Sequence, residues 1–392
     1  MTSAPSPGKR IFISDIHMGD ERSMKPSPQH PYPYGWLNRN IIKLTNFLRN
    51  QLDAQDVGQV VVLGDLFDQW VIPTDFDPLA RLDGICSNPA NKGILDNLKT
   101  LADRSKLSYV LGNHDMSACQ KDIPILKEFI KAILPGINFI CEDDQPTGAY
   151  REGNLVAEHG NLYCLFNAPD TWTNPDPFLP LGYFISRIVA YKVAQTGQSE
   201  NYLDILGEFI DVFKQKPNFI YDLFLAVAAD AGLNKSDKID MKNISGFGSA
   251  ITVDEVANKY MNLIHDWDET HDKIGSYIAI EGDSFLGLSW AAYRVYLGPG
   301  TDPNVNIAIF GHTHAWRNED PIPPLDENDQ ENDSSFASQP CKAIYANSGT
   351  WIDSTNLCTY VETEADEDNQ RHYVRVKSYP GNQLLKETFV TL

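Results

Sequence analysis

Five short polar motifs constrain this chain most, because each follows a run of apolar, largely β-branched residues. Such runs predict buried strands, so the polar side chains are expected at strand ends. Together the motifs offer carboxylates, an amide and imidazoles, which suit a pair of divalent metal ions and hence in-line displacement at phosphorus. The motifs are Asp15-Ile16-His17, Gly64-Asp65-Leu66-Phe67-Asp68, Gly112-Asn113-His114-Asp115, Glu158-His159-Gly160 and Gly311-His312-Thr313-His314.

Length and charge limit the classes of protein and partner. A chain of 392 residues is long enough for one large domain with insertions or for two domains. Its apolar share of 42% predicts a core of ordinary size. The formal net charge of −21 disfavours nucleic acid as a partner, because that field repels polyanions and the sequence shows no compensating basic patch.

The sequence has neither a secretory pattern nor a long apolar stretch. No early basic segment is followed by an apolar run, and no apolar stretch is long enough to span a bilayer. The six cysteines are scattered, without a CxxC pair, which indicates reduced thiols. We therefore expect a cytoplasmic protein with no integral membrane segment, and the oligomeric state is left open.

The apolar runs predict an α/β chain with an antiparallel tail. A helix is expected over residues 36–52, where leucine and isoleucine recur on one face. Strands are expected at residues 11–14, 59–63, 107–111, 155–157 and 305–310, and in the tail at 343–346, 357–362, 372–378 and 387–391.

A stretch of different character separates His159 from Val305. Apolar residues recur at helical spacing over residues 181–189, 202–213 and 220–227, and Thr252 with Glu255 forms a capping-box signature. We predict a helical insertion or cap over residues 168–295, flanked by the two parts of one catalytic domain, residues 9–167 and 296–392. The alternative is a helical packing domain without substrate contact. Residues 21–34 and 321–338 are expected to be loops.

The motif residues can form two metal-binding shells. Asp65 is the natural bridge, since its two carboxylate oxygens can bind two cations. Asp15, His17 and one imidazole of the Gly311 motif can complete the first shell, and Asn113, His159 and the other imidazole can complete the second. Mixed imidazole and oxygen ligands predict two divalent ions, with Mn expected ahead of Fe, Zn or Ni. The ions would lower the pKa of a bound water, so that hydroxide attacks phosphorus near neutral pH.

His114 and Asp115 are the predicted catalytic residues. An imidazole next to a metal ligand and oriented by a carboxylate can protonate the leaving oxygen as a general acid. The alternative is a structural His114 that supports the ligands. Asp68 is expected to orient an imidazole or a loop rather than to bind metal.

These motifs, in this order, resemble the calcineurin-like metallophosphoesterase family. The resemblance covers about residues 9–165 and 305–353. It implies two facing mixed β-sheets flanked by helices, a four-layer α/β sandwich, and it makes His114 the acid or a phosphate-orienting residue. By the family pattern the first metal takes Asp15, His17, Asp65 and His314, and the second takes Asp65, Asn113, His159 and His312.

Two segments look most like the branch that contains UDP-2,3-diacylglucosamine pyrophosphohydrolases. They are residues 64–70 and 159–164, and that branch also carries helices over its site, although it has Arg where His114 stands. We therefore predict a dinuclear metal-dependent phosphoester hydrolase for a small or lipid- or nucleotide-linked phosphodiester, diphosphate or monoester. The alternatives are a DNA or RNA nuclease of the same fold and a non-catalytic metal-binding scaffold.

Overall fold

Two mixed β-sheets form the centre of the molecule, and helices cover their outer faces. The structure is a computed structural model that describes residues 8–78, 81–116, 123–141, 148–170, 179–198, 218–242, 244, 247–269, 287–319, 342–355 and 357–392. The strands are β1 Lys9–Ile13, β2 Val57–Leu63, β3 Leu107–Val110, β4 Asn138–Ile140, β5 Tyr150–Glu152, β6 Leu155–Ala157, β7 Lys238–Asp240, β8 Ala250–Thr252, β9 Ile307–Phe310, β10 Arg317–Glu319, β11 Ile344–Asn347, β12 Cys358–Asp366, β13 Arg371–Tyr379 and β14 Gln383–Thr391.

The helices fall into two groups, one beside the first sheet and one between β6 and β9. The described helices are α1 Glu21–Met24, α2 Ile41–Asp53, α3 Arg81–Ser87, α4 Lys92–Asp103, α5 Ile123–Ile133, α6 Leu181–Thr196, α7 Phe219–Asp230, α8 Val253–Lys259, α9 Leu263–Asp268 and α10 Gly287–Ala292. A π-helical turn, Tyr293–Leu297, continues α10.

The first sheet has seven strands in the order β14-β13-β12-β1-β2-β3-β4. Its first four strands along the chain run parallel, and β12 pairs antiparallel with β1 and leads into the antiparallel tail. The second sheet has the order β10-β11-β9-β6-β5, with β6, β9 and β11 parallel to one another. A short hairpin of β7 and β8 lies apart from both.

Alternation along the strands makes the two sheets face each other. Phe12, Val61 and Val110 of the first sheet pack against Leu155 and Ile309 of the second in one apolar cluster. Neighbouring strand positions face the opposite way and pack against α2, α4 and α5. The outer face of the second sheet packs against α10. The layer order is therefore helices, sheet, sheet and helix, and the predicted fold class is confirmed.

Helices α6 to α9 share an apolar core of their own, which we call the helical cluster. Among its members are Phe184, Leu223, Val256 and Tyr260, all buried. The predicted capping box at the start of α8 is present, with the side chains of Thr252 and Glu255 each bonded to the other's backbone N–H. The apolar run predicted between residues 202 and 213 lies outside the described residues, as does the loop predicted at 321–338.

Several element ends differ from the predictions. In the tail, β12 continues to Asp366 rather than ending at 362, and β14 begins at Gln383 rather than at 387. The helix expected over residues 36–52 begins only at Ile41, because the Asp353 carboxylate accepts hydrogen bonds from the backbone N–H groups of Asn38, Arg39 and Asn40 and holds them in a turn. The loop expected over residues 21–34 contains the short helix α1. Asp20 caps this helix by accepting from the backbone N–H of Ser23.

Candidate metal centre

All five polar motifs meet at the carboxyl ends of β1, β2, β3, β6 and β9. These strands are parallel within their sheets, so their carboxyl ends lie at one edge of the sandwich. Backbone hydrogen bonds join the motifs directly: His17 N–H donates to the Asp65 carbonyl over 2.8 Å, and Gly311 N–H donates to the His159 carbonyl over 3.0 Å. The topology therefore brings the five motifs together at one edge of the sandwich.

The backbone at the site is strained in a consistent way. Most non-glycine residues avoid positive φ because the Cβ crowds the carbonyl oxygen, so this conformation marks positions that the surrounding structure forces. Gly64 also has a positive φ, 77°, and a side chain there would not fit. A Cβ on Gly64 would lie 2.6 Å from the Gly112 Cα and 2.6 Å from His159 Nδ1. Five motif residues have φ between 53° and 71°: Asp15, His17, Asp65, His312 and His314.

The first cluster consists of Asp15, His17 and His314. The His314 Nε2 lies 3.3 Å from Asp15 Oδ1 and 3.2 Å from His17 Nε2. One ligand atom from each of the three residues fits within 4.8 Å of the others, so the group could hold a metal ion. The Asp15 Oδ2 accepts from His312 N–H over 2.9 Å, which fixes the carboxylate and leaves Oδ1 toward the imidazoles.

The second cluster consists of Asp65, His159 and His312, with Asn113 beside them. The His159 Nε2 lies 3.2 Å from Asp65 Oδ2, 3.2 Å from His312 Nδ1 and 3.0 Å from Asn113 Oδ1. Its other ring nitrogen, Nδ1, lies 2.8 Å from the Leu63 carbonyl oxygen, to which only an N–H can bond. In the neutral ring Nε2 is therefore an acceptor, so this nitrogen and the Asp65 and Asn113 oxygens can converge on a cation.

Asp65 links the two clusters. Its Oδ2 lies 3.6 Å from His17 Nε2 and 3.2 Å from His159 Nε2. Its Oδ1 accepts from His114 N–H over 2.8 Å. Oδ2 alone thus faces imidazoles from both clusters, so a bridge between two ions would use this one oxygen rather than the two oxygens expected from the sequence.

Burial and charge act against each other at these groups. Burial alone lowers the pKa of His159, but the carboxylates of Asp65 and Asp15 raise it to about 9. Burial alone raises the pKa of Asp65, but His159, His114 and His17 hold it well below its usual range. Each group is thus stabilised in its charged form by the others, so the site concentrates negative charge that protons or metal ions must balance. The donor set fits divalent cations.

His114 lies between two tryptophans and beside the first cluster. Its Nδ1 lies 3.1 Å from Asp68 Oδ1, and its ring centroid lies 4.7 Å from that of Trp70, 5.2 Å from that of Trp36 and 4.7 Å from that of His17. Burial lowers the pKa of His114, but Asp65 and Asp68 outweigh this and raise it. The ring is therefore held in one orientation next to the metal-binding groups.

The carboxylate beside His114 is that of Asp68, whereas Asp115 was the orienting residue expected from the sequence, so that expectation is wrong. Asp115 instead accepts from the backbone N–H groups of Asp65, Phe67 and Gly112 at 2.7–2.8 Å. It joins the turn after β2 to the turn after β3, because a short side chain in the second turn reaches the unpaired N–H groups of both. The expectation for Asp68, an orienting role, agrees with its contacts.

Three further features of the site were not found from the sequence. Trp36, half-buried, has its ring centroid 4.6 Å from that of His17 and 5.7 Å from that of His314. Asn167 contacts both Asn113 and His312. The turn after β11 supports Asp15, whose carbonyl accepts from the Thr350 hydroxyl over 2.9 Å. None of these residues lies in a polar motif. Thr350 follows the end of β11 closely, but Trp36 and Asn167 are far in sequence from the preceding strand, so nothing in the sequence indicated them.

Residues 8–187 match the family model of the calcineurin-like phosphoesterases. This match covers the first four polar motifs and indicates a phosphoric ester hydrolase. No curated protein matches the chain. A solved structure titled "GAP50 the anchor in the inner membrane complex of Plasmodium" aligns with 99% of this chain and 89% of that chain, at 9% identity and a TM-score of 0.33, a likeness that supports no argument. None of the described helices combines the length and apolarity needed to cross a membrane.

Proposed function

We propose that the chain hydrolyses phosphoesters with two divalent metal ions held at the strand ends. The observation that carries this proposal is the position of the Asp65 carboxylate, which faces His17 on one side and His159 on the other at 3.6 and 3.2 Å. Together with the calcineurin-like phosphoesterase match, this arrangement supports a dinuclear centre.

The proposed ligands divide between the two ions as the clusters do. Asp15, His17 and His314 would hold the first ion, and Asn113, His159 and His312 the second, with Asp65 bridging them. When bound, the ions would supply positive charge for the phosphoryl oxygens and lower the pKa of a coordinated water. We propose Mn as the native metal, since imidazole, amide and carboxylate donors together suit Mn, Fe, Zn or Ni better than Ca.

His114 is the proposed proton donor to the leaving oxygen. Asp68 binds its Nδ1 side, and the rings of Trp36 and Trp70 restrict its rotation. Only Nε2 is then available to hold a proton at the site and transfer it. Asp115 contributes by tying together the two turns that carry Asp65 and His114.

We propose a small or lipid- or nucleotide-linked phosphodiester, diphosphate or monoester as the substrate. The net charge of −21 supports this, since it disfavours long polyanions. The resemblance of residues 64–70 and 159–164 to UDP-2,3-diacylglucosamine pyrophosphohydrolases supports nucleotide- or lipid-linked diphosphates within that set. A cytoplasmic location is proposed from the scattered cysteines, of which Cys86, Cys141, Cys164 and Cys358 are free.

We also propose that the helices between β6 and β9 form a cap beside the site, within residues 168–295. Trp70, which packs on the His114 ring, belongs to the helical cluster. Helix α10 falls within the same range but packs on the second sheet. The cap would therefore consist of α6 to α9, with α10 returning the chain to the sandwich.

A substrate panel with defined metal content tests the proposal. Protein dialysed against EDTA and reloaded with Mn²⁺ is assayed on an aryl phosphomonoester, an aryl phosphodiester, cyclic nucleotides, a nucleotide-diphosphate sugar and single-stranded DNA. We expect turnover only after reloading, with the highest kcat/KM on one of the small esters. Two bound Mn²⁺ without any turnover would favour the scaffold, and fastest cleavage of the DNA would favour the nuclease.

A further inference from the structure

Asn167 is a buried amide that touches two residues of the second cluster. Its Oδ1 accepts from Asn113 Nδ2 over 3.3 Å, and its Nδ2 lies 3.4 Å from His312 Nε2. Asn167 thus contacts two of the proposed ligands of the second ion. His312 would hold a cation through Nδ1, which faces His159, and its hydrogen would then be on Nε2, which cannot accept from the Asn167 NH₂ group. The contact of Asn167 that bears on the cation is therefore the one with Asn113.

The contact with Asn113 matters because an amide has two chemically opposite ends. Asn113 can hold a cation through Oδ1 alone, since its NH₂ group would direct hydrogens at the ion. Rotation by half a turn about the last side-chain bond exchanges the two ends at little steric cost. A hydrogen-bond acceptor next to Asn113 Nδ2 favours the orientation in which Asn113 Oδ1 faces the cluster. Asn167 Oδ1 is that acceptor.

The backbone around Asn167 holds its side chain in place. Its N–H donates to the Cys164 carbonyl over 2.9 Å, and its own carbonyl accepts from Asn161 Nδ2 over 3.3 Å. At the start of α6, Gly182 N–H donates to the Phe166 carbonyl over 2.8 Å. A Cβ on Gly182 would lie 2.6 Å from that carbonyl oxygen and closer still to Asn167 Oδ1. The first turn of α6 therefore packs directly against this amide.

We propose that Asn167 is a positioning residue for the second metal ion, and that α6 holds Asn167 in position through Gly182. This inference rests on the proposed dinuclear centre. Helix α6 of the helical cluster would then affect the affinity for metal, although none of the proposed ligands lies on a helix of that cluster.

Titration of the apoprotein with Mn²⁺ alone tests the inference, by calorimetry and by the electron paramagnetic resonance signal of a coupled ion pair. In Asn167→Leu, which keeps the bulk and removes the amide, we expect the Kd of one ion to rise by about 10–100-fold and that of the other to stay unchanged. Asn167→Asp keeps an acceptor toward Asn113, so both ions should bind with Kd values close to those of the original chain. In a His314→Ala background, which removes a ligand of the first cluster, Asn167→Leu should weaken the remaining ion.

Two glycine variants separate positioning from a general loss of structure. Gly182→Ala should weaken the same ion as Asn167→Leu, since the added methyl group displaces the amide. Gly248→Ala is the matched control, because a Cβ at Gly248 meets no atom of the described residues within 4 Å, and this variant should bind both ions like the original chain.

The outcomes distinguish the inference from the function on which it rests. An original chain that binds fewer than two Mn²⁺ contradicts the proposed function itself. Two ions in the original chain with unchanged affinities in Asn167→Leu overturn the inference alone. Equal weakening of both ions, or no recovery in Asn167→Asp, also overturns it, because either result would make Asn167 a residue of general structural support.

Discussion

Buried polar side chains gather at the strand ends of the two sheets, whereas the helical cluster of α6 to α9 is built almost wholly from apolar ones. In the sandwich, strained backbone holds carboxylates and imidazoles against one another. In the helical cluster, ordinary helix faces pack together. The residues that can bind metal therefore lie at the strand ends. The helices of the helical cluster contribute by packing and by holding neighbouring residues in place.

Helix α6 is the exception within the helical cluster, because it carries buried polar side chains. Arg187 is fully buried and donates through Nη2 to the carbonyls of Pro73 and Phe76 over 3.0 and 2.7 Å. Those carbonyls belong to the segment that follows Trp70, whose ring packs on His114. The side of α6 that carries Arg187 therefore contacts the segment that leads out of the first sheet. This contact is where the helical cluster and the sandwich join.

The largest expected effect is that of Asp65→Asn. Replacing one charged oxygen by an NH₂ group removes the bridge between the clusters, so turnover should be abolished and bound metal should fall below two ions per chain. Activity assays with metal analysis measure both. The matched control is Asp96→Asn, which alters an exposed carboxylate on α4 that pairs with Lys92 and should change neither. Near-normal turnover with two ions would remove Asp65 from the centre.

His114→Ala should lower kcat by about 10²–10⁴-fold with metal content preserved, because it removes the proposed proton donor. The loss should shrink for esters whose leaving groups need little protonation, which a series of aryl esters of different leaving-group pKa would reveal. His265→Ala, at an exposed position on α9, serves as the control. A loss of equal size across the series would argue for an orienting role instead.

Arg187→Leu tests how firmly the helical cluster is joined to the sandwich. It removes the guanidinium donor from the carbonyls of Pro73 and Phe76, and hydrogen bonds to charged groups contribute about 1.5–3 kcal/mol each. We expect the free energy of unfolding to fall by roughly 2–4 kcal/mol in denaturant titrations, with two ions still bound. Arg39→Leu, an exposed replacement, should have almost no effect. If Arg187→Leu is equally neutral, the helical cluster is only loosely attached.

The smallest expected effect lies in the sandwich far from the site, at His372 on β13. Burial lowers the pKa of His372 to about 4, and its Nδ1 lies 2.7 Å from Asn154 Oδ1. The imidazole of His372 therefore binds a proton more readily in the unfolded chain than in the folded one. The neutral, buried ring contributes fully to the free energy of unfolding above pH 6.5, and this contribution is lost as the pH falls toward 4. At pH 5.5 the loss should be about 1 kcal/mol.

His372→Asn should reduce that slope, measured as the free energy of unfolding against pH between 4 and 7. His265→Gln, at an exposed site, should leave the slope as it is. An unchanged slope in His372→Asn would assign the pH dependence to other groups.

Much of the sandwich and of its site followed from local sequence. The β-branched runs before Asp65, Asn113 and His159 predicted strands within a few residues of their observed bounds, because burial on both faces demands such runs. Polar residues directly after them were expected at one edge, since parallel strands end together. The seven motif residues proposed as ligands do lie together there, and the capping box at Thr252 could also be read locally.

The contacts between segments distant in sequence were decided only by the tertiary structure. Which carboxylate faces His114 could not be read from the order of residues, because Asp115 is adjacent in the chain while Asp68 is adjacent in space. The late start of α2 depends on Asp353, and the surroundings of Asn113 depend on Asn167 and Gly182. Local sequence determines which elements form and which side chains end them, because periodicity and turn chemistry act over a few residues. The partner of each side chain depends on how the sheets and helices pack, and that packing is a property of the whole fold.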